Sequence, residues 1–329
     1  MPNSETQPRP VADDMVGYIE KFRATMEDGA PDVPESRRRY AALLAEQGSA
    51  VRPATTRDLG IPRPHGPMRA RLYLPDGASN GLLVYMHGGG FVVGDLDSVD
   101  MVLHSVSSGA GIAILSLDYY LAPEHRYPVA FEQAVDALVW ADLHRGELDG
   151  GGALAVGGDS AGGNLTALLT HWAAVNGGPE ISWQAVINPV LDFLALDGEI
   201  TGSHALYGGN PMLSVDSMRH FMASYFPSQS AKIEASALRI IDDYAVLPPT
   251  FLAAGQCDPL RDESVAYAGR LAAAGVPITF VVYEGMTHNF ITLSRYAVAA
   301  RQFVSDFTEQ ASRWSARTAA AVFAGKAAC

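Results

Sequence analysis

The chain holds only two cysteines, Cys257 and Cys329, in 329 residues. Two cannot build a disulfide framework, nor a cysteine-rich zinc site by themselves. That count suits a reducing compartment, and a cytoplasmic location is the expectation. Basic residues are scarce as well: 23 Lys and Arg stand against 36 Asp and Glu, a net charge of −13. Surfaces for nucleic acid or anionic lipid need clustered Lys and Arg, so neither partner is expected. Long apolar runs are missing. Long uncharged stretches such as Gly77–Gly94 and Met101–Leu117 are broken by His, Ser or Asn and by glycines, unlike a spanning helix of ~20 mostly apolar residues. The start, Met1–Met15, is polar and acidic, without the basic beginning and apolar run of a secretion signal. No H-E-x-x-H or paired Cys/His spacing occurs, so no metal is expected. What is present is globular: 48% hydrophobic, 18% charged, with 32 Gly and 20 Pro. This excludes disorder and collagen-like repeats and provides for a sizeable core.

Two helical patterns run from about Val11 to Gln47, separated by Gly29-Ala30-Pro31 and Pro34, with Glu35-Ser36-Arg37 opening the second. The Pro- and Arg-rich stretch Val51–His65 reads as a connector. Beyond it, apolar runs alternate with helical patterns. The strands expected are Leu82–Met86, Gly111–Leu117, Ala153–Val156, Trp183–Asn188, Pro249–Ala254 and Ile278–Tyr283. The helices between and after them are Val99–Ser108, Tyr127–His144, Asn164–Val175, Ser264–Ala274 and Tyr296–Ser312. Continuous apolar strands alternating with helices imply an α/β fold, its mostly parallel sheet covered on both faces. The pattern breaks between Asp197 and Phe226, where a helical Ser214–Tyr225 follows a glycine-rich loop. Inserted after the strand that ends at Asn188, this segment would sit on the carboxyl side of the sheet.

The strongest chemical signal is Gly158-Asp159-Ser160-Ala161-Gly162-Gly163, set between a strand and the helical run NLTALLTHW. Strand–turn–helix is the context in which G-x-S-x-G exposes a nucleophilic serine. The competing reading is a glycine-rich turn whose serine caps the helix. A second signal, His87-Gly88-Gly89-Gly90-Phe91, follows the strand LLVYM directly. Successive glycines let backbone N–H groups face a cavity, as an oxyanion hole requires. The expected donors are the amides of Gly88, Gly89 and Ala161. A phosphate loop needs Gly-Lys-Ser/Thr and a dinucleotide loop G-x-G-x-x-G; neither spacing is met.

A serine nucleophile needs a base, and the base an orienting carboxylate. In the chain order Ser…Asp…His, Asp258 follows the run PTFLAA and His288 follows ITFVVY, leaving room for one crossover unit between them. Asp262 and Glu263 lie further into a helix and read as surface pairs or a cap. His104, His125, His204 and His220 are alternative bases, but they precede the acid or fall in the insertion. Asp159 is too close to Ser160 to be the triad acid and reads as holding the elbow or its neighbouring loop; Asp192 reads as structural.

These pieces together resemble the bacterial hormone-sensitive-lipase-like esterases (lipolytic family IV) of the α/β-hydrolase fold. The resemblance rests on His87–Ser98, Asp118–Ala134, Gly157–Leu165, Cys257–Ser264 and Met286–Phe290, in the right order. It implies a helical cap, with residues 1–50 and about 197–226 contributing to it and 51–329 forming the catalytic domain. It also implies a catalytic set of Ser160, Asp258 and His288, and hydrolysis of short- to medium-chain acyl esters without metal or organic cofactor. A homodimer is in keeping with the family. Three positions depart from its pattern: Tyr120 stands where Arg is usual, Asn289 where Gly is frequent, and Thr318–Cys329 matches nothing. A lipase on longer chains, an amidase and a non-catalytic receptor on the same fold are the rival readings.

Overall fold

The computed structural model describes residues 7–26, 32–44, 53–63, 66–149 and 152–327, with side chains of the last helix described to residue 318. Eight strands form one sheet: β1 (Thr55–Ile61), β2 (Met68–Leu74), β3 (Gly81–Met86), β4 (Ala113–Leu117), β5 (Ala153–Asp159), β6 (Trp183–Ile187), β7 (Thr250–Gly255) and β8 (Ile278–Tyr283). Their order is β1-β2-β4-β3-β5-β6-β7-β8. β2 pairs antiparallel with both β1 and β4, and every other pairing is parallel.

All six strands expected from apolar runs are present, with ends shifted by a few residues. The stretch Val51–His65 is a correction, since it contains β1 rather than a plain connector. In β1 only Ile61 is buried, so an edge strand with Arg57 and Asp58 exposed carries no apolar run to detect.

Alternation along β3 explains the layers. Leu82, Val84 and Met86 pack on one face against Ala134, Leu138 and Leu165, from α4 (Val129–Leu143) and α6 (Ala161–Val175). Leu83 and Tyr85 pack on the other against Val102, Phe303 and Phe307, from α3 (Asp100–Ala110) and α12 (Val298–Ala327). α12 runs on through most of the unmatched tail; Cys329 lies outside the described residues. Short α5 (Arg145–Leu148) precedes β5, and α11 (Arg261–Ala273) links β7 to β8.

The segment after β6 holds α7 (Gly202–Tyr207), α8 (Val215–Tyr225), α9 (Gln229–Ala235) and α10 (Ala237–Ile240). Near the start lie α1 (Asp13–Met26) and α2 (Val33–Leu44). Pro34 falls inside the first turn of α2, where a missing N–H is harmless, rather than between the helices. α1 is pinned to the far end of the chain: Ala12 N–H donates to Gly285 O at 3.0 Å, and Val298 N–H to Asp14 Oδ2 at 2.9 Å. No helix among the described residues is long and apolar enough to cross a membrane.

Candidate active site

Ser160 stands at the junction of β5 and α6 with φ 55° and ψ −113°, a region that non-glycine residues enter only under tertiary constraint. The constraint is the close approach of α6 to the sheet. A Cβ on Gly162 would collide with Met86 O, and one on Gly158 with Gly162 O, so the two glycines of G-x-S-x-G are dictated by contact. Ser160 N–H donates to Ile187 O at 2.8 Å. Although Ser160 occupies the N-cap position of α6, its side chain makes no capping hydrogen bond. The capping alternative therefore fails.

The hydroxyl points elsewhere. Ser160 Oγ lies 2.9 Å from His288 Nε2, and His288 Nδ1 lies 2.8 Å from Asp258 Oδ2. All three side chains are buried. Asp258 Oδ1 accepts from Leu260 N–H at 2.8 Å, which fixes the carboxylate plane. The loops after β7 and β8 are joined by Cys257 N–H donating to Met286 O at 2.8 Å. Asn289 has φ 62°. That is left-handed backbone, which Asn tolerates better than most residues and Gly best. The substitution for Gly beside His288 thus keeps the local geometry.

The glycine loop brings two of its three consecutive glycines to the cavity. Gly89 and Gly90 line the cavity that contains Ser160, with φ of 119° and 60°. Gly88 does not; it backs onto the Asp159 carboxylate, towards which its N–H is directed. Ala161 opens α6 directly after Ser160. His87 anchors the loop from below, stacked on Tyr119 at 4.5 Å, while Tyr119 OH donates to His87 O at 2.7 Å. Burial pulls the His87 pKa down, so the ring is neutral.

The family described as having the alpha/beta hydrolase fold matches residues 83–292. The chain belongs to the hormone-sensitive-lipase-like esterases. It is 37% identical over 272 residues to the carboxylic ester hydrolase LipN of Mycobacterium tuberculosis, covering 80% of this chain and 71% of that protein. Over 300 residues it is 32% identical to ethyl acetate hydrolase of Pseudomonas putida, with coverage of 85% and 92%. Among solved structures, a hyperthermophilic esterase from Pyrobaculum calidifontis superposes with a TM-score of 0.84 at 32% identity, over 93% of this chain and 99% of that one.

In this esterase the cavity measures about 530 Å³ and is walled by three separate parts of the chain. Phe22 and Tyr40 come from α1 and α2, Met218, Phe221 and Met222 from α8, and Phe91 and Phe193 from loops after β3 and β6. The Asp118–Ala134 segment ties these walls together. Arg37 of α2 donates to Val92 O at 2.8 Å and Ala122 O at 2.9 Å and pairs with Glu124. Arg126 donates to Ser224 O at 3.0 Å and Ala223 O at 2.9 Å at the end of α8. Tyr120, where Arg is usual, packs on His125 with ring centroids 4.6 Å apart.

Two competing assignments change. Glu263 is not a surface residue: it is buried, lines the cavity and accepts from the N–H groups of Leu191 and Asp192. Its contacts are long-range in sequence, which is why local pattern missed it. His204 also lines the cavity, 3.3 Å from Glu263. Asp262 accepts from Ser203 N–H and pairs with Arg261. Asp192 pairs with Arg239, and His104 with Asp100. Neither His104 nor His125 lines the cavity; His220 does, at an exposed position of α8.

Proposed function

We propose that the esterase hydrolyses short- to medium-chain esters of small molecules by two-step acyl transfer. The observation that carries this is the line Ser160 Oγ–His288 Nε2, His288 Nδ1–Asp258 Oδ2, at 2.9 and 2.8 Å. His288 takes the Ser160 proton as Oγ attacks the ester carbonyl, and Asp258 holds the ring in the tautomer that leaves Nε2 free to accept. The carbonyl oxygen, now negative, receives hydrogen bonds from the amides of Gly89, Gly90 and Ala161. Collapse of the tetrahedral species breaks the ester C–O bond, and His288 returns the proton to the departing alcohol. Water then repeats the sequence on the acyl-serine and releases the acid. α1, α2 and residues 197–226 act in this reading as the cap, and the outer edge of β8 serves as the interface of a homodimer in the cytoplasm.

The test is initial rate on p-nitrophenyl esters from acetate to palmitate, with Ser160→Ala beside the wild type. A maximum at short to medium chains and a loss of kcat of about 10⁴-fold or more in the variant are expected. Rates rising towards palmitate would make it a lipase. Folded protein inactive on every ester would favour an amidase or a receptor.

A further inference from the structure

Among the described residues, and setting the tyrosines aside, four buried polar or charged side chains line the cavity: Ser160, His288, His204 and Glu263. The reaction uses the first two. The other two repeat the arrangement of a carboxylate behind an imidazole. His204 Nε2 lies 3.3 Å from Glu263 Oε1, and that oxygen has no properly directed hydrogen bond. Glu263 Oε2 is held by the N–H groups of Leu191 and Asp192. α7 is fixed on the segment following Asp258: Ser203 N–H donates to Asp262 Oδ2 at 2.8 Å and Ser203 Oγ to Pro259 O at 2.6 Å. His204 is thereby oriented before any ligand arrives. Glu263 is the only side chain paired with its ring, at Nε2, and Nδ1 makes no hydrogen bond among the described residues.

As a purely structural device the pair is a poor bargain. Two buried ionisable groups with imperfect mutual geometry contribute little net stability, and neighbours on the same wall are Phe193, Leu213 and Phe226. In a substrate cavity, however, an oriented ring nitrogen without a partner discriminates strongly, because a ligand that fails to satisfy it leaves a desolvated polar atom behind.

We propose that His204, oriented by Glu263, binds a hydroxyl group on the substrate, so that the preferred esters carry a free hydroxyl near the ester bond. A hydroxyl both donates and accepts, and therefore satisfies Nδ1 whether the ring is neutral or protonated. This rests on the acyl-transfer reading of Ser160.

The test compares kcat/KM on two isosteric pairs. On the acyl side these are the p-nitrophenyl esters of 3-hydroxybutyrate and 3-methylbutyrate; on the alcohol side, 2-hydroxyethyl and propyl butyrate, followed by acid release. The wild type should favour the hydroxyl member of one pair by about 10- to 100-fold, and that pair tells which side of the ester His204 faces. In His204→Leu the ratio should fall to about unity; a scaffolding residue would lower both members alike. His204→Phe, which fills a similar volume without a hydrogen-bonding ring nitrogen, stands in if the leucine variant does not fold. A fluorophosphonate that labels Ser160 reports the state of the nucleophile. Labelled enzyme with a ratio near unity in both pairs, or a ratio unchanged by either variant, overturns the subsite alone. Unlabelled, inactive wild type overturns the acyl-transfer reading and the subsite with it.

Discussion

Asp159, the neighbour of Ser160, carries a conflict between burial and charge. Its carboxylate accepts from Tyr85 OH at 3.0 Å and faces Gly88 N–H. Burial outweighs these donors and the nearby His288, and the pKa is pushed from 3.8 up to about 6. A raised acid pKa means the folded state binds the proton more tightly between those two values. Its stabilising contribution is therefore present at low pH and lost as pH rises through about 6. At pH 8 the ionised group costs on the order of 1–3 kcal/mol. Asp159→Asn should raise the melting temperature more at pH 8 than at pH 5, and should lower kcat/KM by disturbing the glycine loop. Equal shifts at both pH values would refute this account. At this scale the residues that meet in the site were legible, because strand–turn–helix context and chain order single out Ser160, Asp258 and His288, which the fold brings within hydrogen-bond distance. Which glycines of the loop line the cavity was not legible: Gly89 and Gly90 do, and Gly88 does not. Which of three consecutive glycines turns its N–H to the cavity depends on backbone angles, not on composition. Glu263 was misread because its partner His204 comes from a separate inserted segment.

Parallel strands announced themselves as elements because a strand covered on both faces must be apolar throughout. β1 ends the sheet and pairs with no further strand among the described residues, and its sequence TTRDLGI reflects that. The four-residue α5 and α10 are too short to display a helical period. Glycines test the same logic of coverage. Gly162 sits where any Cβ would strike Met86 O, so Gly162→Ala should cost about 3 kcal/mol or more and abolish soluble expression or activity. Gly17 lies inside α1 with nothing within 4 Å of a Cβ. Gly17→Ala should stabilise by about 0.5–1 kcal/mol, read as an upward shift of the denaturation midpoint. A destabilised Gly17→Ala would mean that α1 does not pack as described.

For the whole molecule, the cavity is a joint product of segments far apart in sequence, and no single stretch encodes it. Apolar residues such as Phe22, Tyr40 and Met222 face it, but in sequence they are indistinguishable from ordinary core. Their grouping becomes visible only when α1, α2 and α8 meet over the carboxyl ends of the strands. Removing residues 1–44 would delete Phe22 and Tyr40 together with the Arg37 bonds to Val92 and Ala122. The shortened chain should melt lower and lose about tenfold or more in kcat/KM on a butyrate ester, since the glycine loop loses its support; undiminished kcat/KM would count against the cap. The bonds from Ala12 to Gly285 and from Asp14 to the start of α12 bear on when the enzyme comes to exist at all. They join points about 270 residues apart. At a ribosomal pace of about 5–20 residues per second, the first helices wait roughly 15–50 s for their partners to be made. His288 is made only at the end of the same interval, so on the proposed mechanism a nascent chain already carrying Ser160 has no base to activate it. On the proposed mechanism the activity is timed by translation, and only a chain extended past His288 can attack an ester.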